Sequence, residues 1–213
     1  MGKIFAVGDV HGCFSRLRDL MDLIAPDPER DTVVFIGDYI DRGPNPQTVV
    51  DFVLEIKETL PHTVCLLGNH EQMFLDYYCK DRDEQIFVYN GGRSTLASYS
   101  PNGIWSGKKP IVPEEHLQFF ASLALYYETD DYLFVHAGLR PGIPLQKQDR
   151  EDLIWIRGEF IVSKLNFGKV VVFGHTPFYE PLIEPNKIGI DTGAVYGGKL
   201  TCVELPEIKI YQV

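Results

Sequence analysis

Asp9, His11, Asp38, Asp41, Asn69, His70, His136 and His175 all stand in short blocks that contain glycine. The blocks are GDVHG from residue 8, GDYIDRG from residue 37, GNHE from residue 68, HAG from residue 136 and GHTP from residue 174. One Gly-Asp pair alone is an ordinary turn, because aspartate bonds its own backbone and glycine takes conformations closed to other residues. The joint pattern says more. Four of the six histidines fall in these blocks, while His62 and His116 read as surface or helix residues. Carboxylates that converge on one point repel each other, and burial raises their pKa unless cations compensate. Imidazole and carboxylate ligands without sulfur suit Mn, Fe or Zn. These candidates are too many for a single tetrahedral ion and suit two ions that share a carboxylate. Such a pair can hold a nucleophile and steady an in-line displacement at phosphorus.

Each block follows a short apolar run: IFAV, TVVFI, TVCLL, YLFV and VVVF. The runs are continuous and rich in β-branched and aromatic residues, the pattern of strands buried on both faces in an α/β protein. Open α/β sheets bind ligands beyond the carboxyl ends of their strands, which is where all five blocks lie. Helices are expected between the runs. Phe14, Leu17, Met21 and Ile24 form a helical stripe, and Asn45-Pro46 starts a helix whose inner face carries Val49, Val50, Val53, Ile56 and Leu60. Further helices are expected from about Glu71 to Tyr78 and from about Pro113, with Leu117, Phe120, Leu123 and Ala124. After Lys187, antiparallel strands are expected at residues 188–190, 200–205 and 208–211, with turns at Gly197-Gly198 and Pro206-Glu207. Residues 80–110 are turn-rich and read as a loop region that shapes substrate choice.

The 213 residues suit a single domain spanning 1–213 with its own core, and the formal net charge is -10. That charge disfavours broad binding to nucleic acid or anionic membranes. Cys13, Cys65, Cys79 and Cys202 are scattered without a CxxC pair, so neither a thiolate zinc site nor a disulfide framework is expected. No signal-peptide pattern is read, and a cytoplasmic location is the expectation.

GDVHG, GDYIDRG and GNHE, in this order, resemble the signature of PPP-type serine/threonine phosphatases within the calcineurin-like metallophosphoesterases. FVHAGLRP, VVFGHTP and IDTGAVYGG extend the likeness over nearly the whole chain, and DLIWIRGE is most similar to the bacterial and phage lambda branch. HAGLRP departs from the eukaryotic HGGLSP and no arginine precedes GNHE, so docking of regulatory subunits is not expected.

The resemblance implies an α/β sandwich of central mixed sheets flanked by helices. It implies two divalent metal ions, Mn2+ first, with Asp9 and His11 on one ion, Asp38 as the bridge, and Asn69, His136 and His175 on the other. His70 is then the general acid, oriented by Asp41. Arg42 and Arg157 grip the phosphate, Asn69 also touches the substrate, and Tyr196 is a looser match to an active-site tyrosine. The implied reaction is direct attack on phosphorus by a hydroxide shared between the ions. On this reading the protein hydrolyses phosphoserine and phosphothreonine, with phosphotyrosine a side activity. The alternative is a dinucleoside polyphosphate hydrolase acting on diadenosine tetraphosphate. A binding module that uses the fold without catalysis is the third reading, and the complete motif set argues against it.

Overall fold

Val33, Val34 and Phe35 can be buried on both faces at once, and β-branched and aromatic side chains fit a pleated surface, so runs of this kind become strands inside the molecule. The computed structural model describes residues 2–213. In chain order the strands are β1 (Ile4–Val7), β2 (Thr32–Phe35), β3 (Thr63–Cys65), β4 (Tyr126–Glu128) and β5 (Tyr132–Val135). They continue with β6 (Val170–Phe173), β7 (Leu182–Glu184), β8 (Lys187–Gly189), β9 (Thr201–Leu205) and β10 (Lys209–Gln212). The helices are α1 (Phe14–Ile24), α2 (Pro46–Thr59), α3 (Asn69–Lys80), α4 (Glu84–Phe87), α5 (Arg93–Ser98), α6 (Glu114–Ser122), α7 (Arg150–Trp155) and α8 (Gly158–Val162).

Two mixed sheets result, in the orders β10-β9-β1-β2-β3 and β4-β5-β6-β8-β7. β1, β2 and β3 run parallel, as do β5, β6 and β8; β9 joins β1 antiparallel with β10 beyond it, and antiparallel β4 and β7 form both edges of the second sheet. Register decides which side chain faces which layer. Ala6, Val34 and Val203 pair across the first sheet, and Phe134, Val172 and Ile188 across the second; these six meet in the core between the sheets. The alternate residues Phe5, Val7, Val33 and Phe35 turn outward onto Leu17 and Leu20 of α1 and Val49, Val50 and Val53 of α2. Each fully buried side chain of this size stabilises by roughly 1.5–3 kcal/mol relative to exposure.

Two expectations change. Ile188-Gly189-Ile190 reads as part of an antiparallel tail, yet β8 lies parallel to β6 and antiparallel only to β7. Residues 80–110 read as turns, yet they contain α4 and α5, joined by a kink at Gly91. Phe87 and Leu96 are fully buried against Phe74 and its neighbours, and that packing holds the two helices while Gly91, at φ 107°, makes the kink between them. No helix among the described residues is long and apolar enough to cross a membrane, and all four cysteines are unpaired.

Candidate active site

The carboxyl ends of β1, β2, β5 and β6 and the start of α3 deliver the expected residues to one edge of the sandwich. Asp9, His11, Asp38, Asp41, Asn69, His70, His136 and His175 are all buried there. Turning tightly enough to point side chains off the sheet ends costs backbone strain. Ten non-glycine residues have positive φ among the described residues, and five are His11, Asp38, Asp41, Arg42 and His175. Strain of this kind persists only where the surroundings hold it. Gly37 shows why glycine starts the second block: its φ is 111°, and a Cβ there would lie 2.7 Å from the Gly68 nitrogen and 2.9 Å from His136 Nδ1.

Glu71 does much of the holding. Its Oε2 accepts the backbone N–H of Asp38 at 2.9 Å and of Gly68 at 3.1 Å, and its Oε1 accepts those of Tyr39 at 2.8 Å and Ile40 at 3.2 Å. Sequence reasoning left Glu71 without a role beyond opening α3. Burial beside Asp38 pushes its carboxyl upward, and the amide donors oppose that. Glu71→Gln would set an NH2 group against two of these N–H donors. At about 1–3 kcal/mol for each buried polar group left unpaired, thermal unfolding of this variant should show a loss of roughly 2–6 kcal/mol. An unchanged melting profile would contradict the clamp.

The imidazoles reveal their tautomers through their outer nitrogens. His11 Nδ1 lies 2.8 Å from the Ile40 carbonyl, His136 Nδ1 lies 3.0 Å from that of Ile36, and His175 Nε2 lies 3.2 Å from that of Trp155. A carbonyl only accepts, so each of these nitrogens donates, and a lone pair on each ring points inward. Burial holds all three rings neutral, lowering His11 to about 3, His175 to about 2 and His136 in the same direction. His136 Nε2 and His175 Nδ1 face Asn69 Oδ1 at 3.0 and 2.9 Å. Asp38 Oδ1 is 3.4 Å from His136 Nε2, and Oδ2 is 3.4 Å from His11 Nε2. Burial pushes the Asp38 carboxyl upward, and it is positive charge at the surrounding ring positions, His136 foremost, that lowers it.

At His136 and His175 acceptors thus face acceptors with no proton between them, which a cation would resolve. Ligand atoms of His11, Asp38 and His70 lie within 4.8 Å of one another, as do those of Asp38, His136 and His175. The two groups share Asp38, so the arrangement fits two divalent ions with nitrogen and oxygen ligands. Outer hydrogen bonds that fix the rings are what such sites use to orient their ligands.

Asp9 is buried at the same edge, beside Asp38. Its oxygens accept the His175 backbone N–H at 3.0 and 3.2 Å, and its carboxylate is not part of either three-residue group. Burial, then the nearby Asp191 and Asp38, raises its pKa. Asp191 itself, read from sequence as a strand-end turn residue, is buried and pushed up to about 6, chiefly by desolvation. It does cap a turn, accepting the Gly193 N–H at 2.9 Å. It also adds a carboxyl beside Asp9, and its place after an apolar strand was the one signal for that in the sequence.

His70 and Asp41 form the expected pair, with Nδ1 2.6 Å from Oδ2. His70 Nε2 is buried, has no hydrogen-bond partner and lies 4.0 Å from Asp38 Oδ2. Arg42 reaches into the site and donates to His11 Nε2 at 2.5 Å. The exposed Tyr196 ring lies 5.6 Å from the Arg42 guanidinium, a cation–π contact that packs one against the other. Arg157 stands at the opposite side, donating to the His175 carbonyl at 2.9 Å and Thr176 Oγ1 at 3.1 Å. His116, expected at the surface or on a helix, lies on α6 but is buried and bonds the Tyr99 hydroxyl at 2.7 Å.

Comparison with known proteins places this site in context. The family model for calcineurin-like phosphoesterases matches residues 2–206. The bis(5'-nucleosyl)-tetraphosphatase PrpE [asymmetrical] of Bacillus cereus (strain Q1) is 26% identical over 235 residues, covering 99% of this chain and 94% of the relative. Its counterpart from Bacillus thuringiensis (strain Al Hakam) gives the same identity and coverage. Among solved structures, one assigned provisionally as a diadenosine tetraphosphatase superposes with a TM-score of 0.78 at 23% identity, covering 100% of this chain and 93% of that one. A protein serine/threonine phosphatase from Saccharomyces cerevisiae gives 0.63 at 18%, covering 99% and 79%. At these identities the structural likenesses speak for the fold.

Proposed function

The chain belongs to the calcineurin-like phosphoesterase family, and from that premise we propose that it hydrolyses dinucleoside tetraphosphates into unequal halves. The observation that carries this reading is likeness along nearly the full length, 99% of this chain and 94% of the relative, to proteins named asymmetrical bis(5'-nucleosyl)-tetraphosphatases. The phosphoserine and phosphothreonine reading of the sequence has weaker support, a shared fold with a phosphatase of 18% identity. The substrate partner is accordingly a dinucleotide rather than a phosphoprotein.

His11 and Asp38, with Asp9 turned from the His175 amide, would hold one divalent ion; Asp38, Asn69, His136 and His175 would hold the other. Mn2+ suits these nitrogen and oxygen donors, as do Fe and Zn. When bound, the ions supply Lewis-acid charge and make water acidic enough to act as a nucleophile near neutral pH. Arg42 and Arg157 flank the site, and their planar forks can each hold two phosphate oxygens. They draw a polyanion to a protein whose overall formal charge is -10. Tyr196 limits where the Arg42 guanidinium can swing, and Asn69 faces the same space. His70, held by Asp41, is placed to give its Nε2 proton to a leaving oxygen that needs one.

The test is a comparison of kcat/KM for diadenosine tetraphosphate, a phosphoserine peptide and 4-nitrophenyl phosphate with Mn2+ present. The dinucleotide should lead the peptide by about tenfold or more, equivalent to about 1.4 kcal/mol of transition-state binding. It should yield a mononucleotide and a nucleoside triphosphate. Chelation should remove the activity and added Mn2+ restore it. A peptide preferred over the dinucleotide would return the protein to the phosphoprotein reading.

A further inference from the structure

The segment from α4 to α5, read from sequence as a turn-rich loop region, is pinned to the reacting groups. Thr95 of α5 is fully buried, and its hydroxyl does two things at once. It accepts the backbone N–H of Asp41 at 2.9 Å and donates to Asp41 Oδ1 at 2.5 Å. The other oxygen of Asp41 receives His70 Nδ1–H. Both carboxylate oxygens are therefore tied, one to each side, and the ring plane of His70 follows from the plane of that carboxylate. Asp41 also sits at φ 70°, a left-handed conformation that a residue with a Cβ keeps only when restrained. The Thr95 bond to its N–H supplies such a restraint. The Arg42 N–H adds another by donating to the Gly91 carbonyl at 3.1 Å. Gly91 has φ 107°, and a Cβ there would lie 2.6 Å from Arg42 Cγ, so the segment approaches as closely as glycine allows.

We propose that Thr95 is a positioning residue that aims the His70 proton donor by fixing Asp41 through two hydrogen bonds. This rests on the reading of His70 as the general acid. A hydroxyl can accept from the amide and donate to the carboxylate at the same time through a single atom. Valine has nearly the same shape and can do neither. With valine, Asp41 keeps its bond to His70 but loses the hold on its other oxygen and on its backbone. The pair can then rotate, and the unpartnered Nε2 of His70 no longer points steadily at the leaving oxygen.

The deciding experiment measures kcat and KM of the full chain with Mn2+ on an aryl phosphate and an alkyl phosphate. The proteins are the wild type, Thr95→Val, Thr95→Ser and His70→Asn, with rates normalised to the folded fraction. An alkyl leaving group needs the proton far more than an aryl one. Thr95→Val should lower kcat on the alkyl ester by about tenfold or more, a part of the 10²–10⁴ that general acid catalysis contributes. The aryl ester should change far less, KM should hold for both, and Thr95→Ser should restore the alkyl rate. If Thr95→Val does not fold, Thr95→Ala takes its place with the same expectation. Equal losses on both esters, or no rescue by serine, would make Thr95 a packing residue and overturn the proposal. A biased His70→Asn beside an unbiased Thr95→Val would remove the proposal and leave the acid in place. A His70→Asn variant without bias would remove the acid reading, and the role of Thr95 with it.

Discussion

Asp38→Asn is expected to lower turnover on the order of 10³-fold, the scale of losing a preorganised electrostatic group at the reacting centre. Bound metal should fall from about two ions per chain to one or fewer. The geometry gives the reason. Asp38 offers one oxygen toward His11 and the other toward His136, each 3.4 Å from the imidazole nitrogen. An asparagine offers one oxygen and one NH2 group, so it can serve one cluster but turns a donor toward the other. Its side chain also carries no charge to balance two cations. Folding should survive, because the Glu71 clamp grips the Asp38 backbone and not its side chain. Metal analysis of the purified variant, beside kcat on diadenosine tetraphosphate, checks both halves. Near-normal activity with two ions bound would defeat the shared-carboxylate account.

His70→Asn should cost about 10²–10⁴ in kcat on substrates with poor leaving groups. The cost should be far smaller on aryl phosphates, whose leaving oxygen is stable as an anion. A dinucleoside tetraphosphate should behave more like the aryl ester, since a polyphosphate chain carries its charge without a proton. Metal content should stay near that of the wild type if His70 is an acid. His70 Nε2 does lie within reach of the His11–Asp38 group, so a ligand role makes a contrasting prediction. As a ligand, its loss would lower bound metal and slow every substrate alike. Rates across leaving groups, measured with metal content on the same preparation, separate the two roles.

The leading substrate inferred from the motifs and the one favoured by the relatives differ for a chemical reason. GDVHG, GDYIDRG and GNHE describe how charge is gathered around a phosphorus atom. That arrangement serves a phosphate ester and a phosphate anhydride equally well. Nothing in those residues measures what lies beyond the phosphate. Residues 80–110, where the sequence suggested that substrate choice is made, turn out to be partly helical, with α5 bound to Asp41.

What the sequence determined by itself was local. Apolar runs too short for anything but strands, each followed at once by glycine and a ligand-type residue, were enough to place the site at the carboxyl ends of the sheets. They were enough to gather Asp38, His136 and His175, and to pair His70 with Asp41, on the family likeness. The tertiary structure decided what holds those residues still. Glu71 reaches the Asp38 loop across 33 positions and Thr95 reaches Asp41 across 54, distances over which no periodicity or spacing carries information. It also turned Asp9 onto the His175 amide and brought Asp191 beside it. Hydrogen bonds to backbone amides follow from where loops meet after the two sheets have packed, and no local pattern along the chain reveals that meeting.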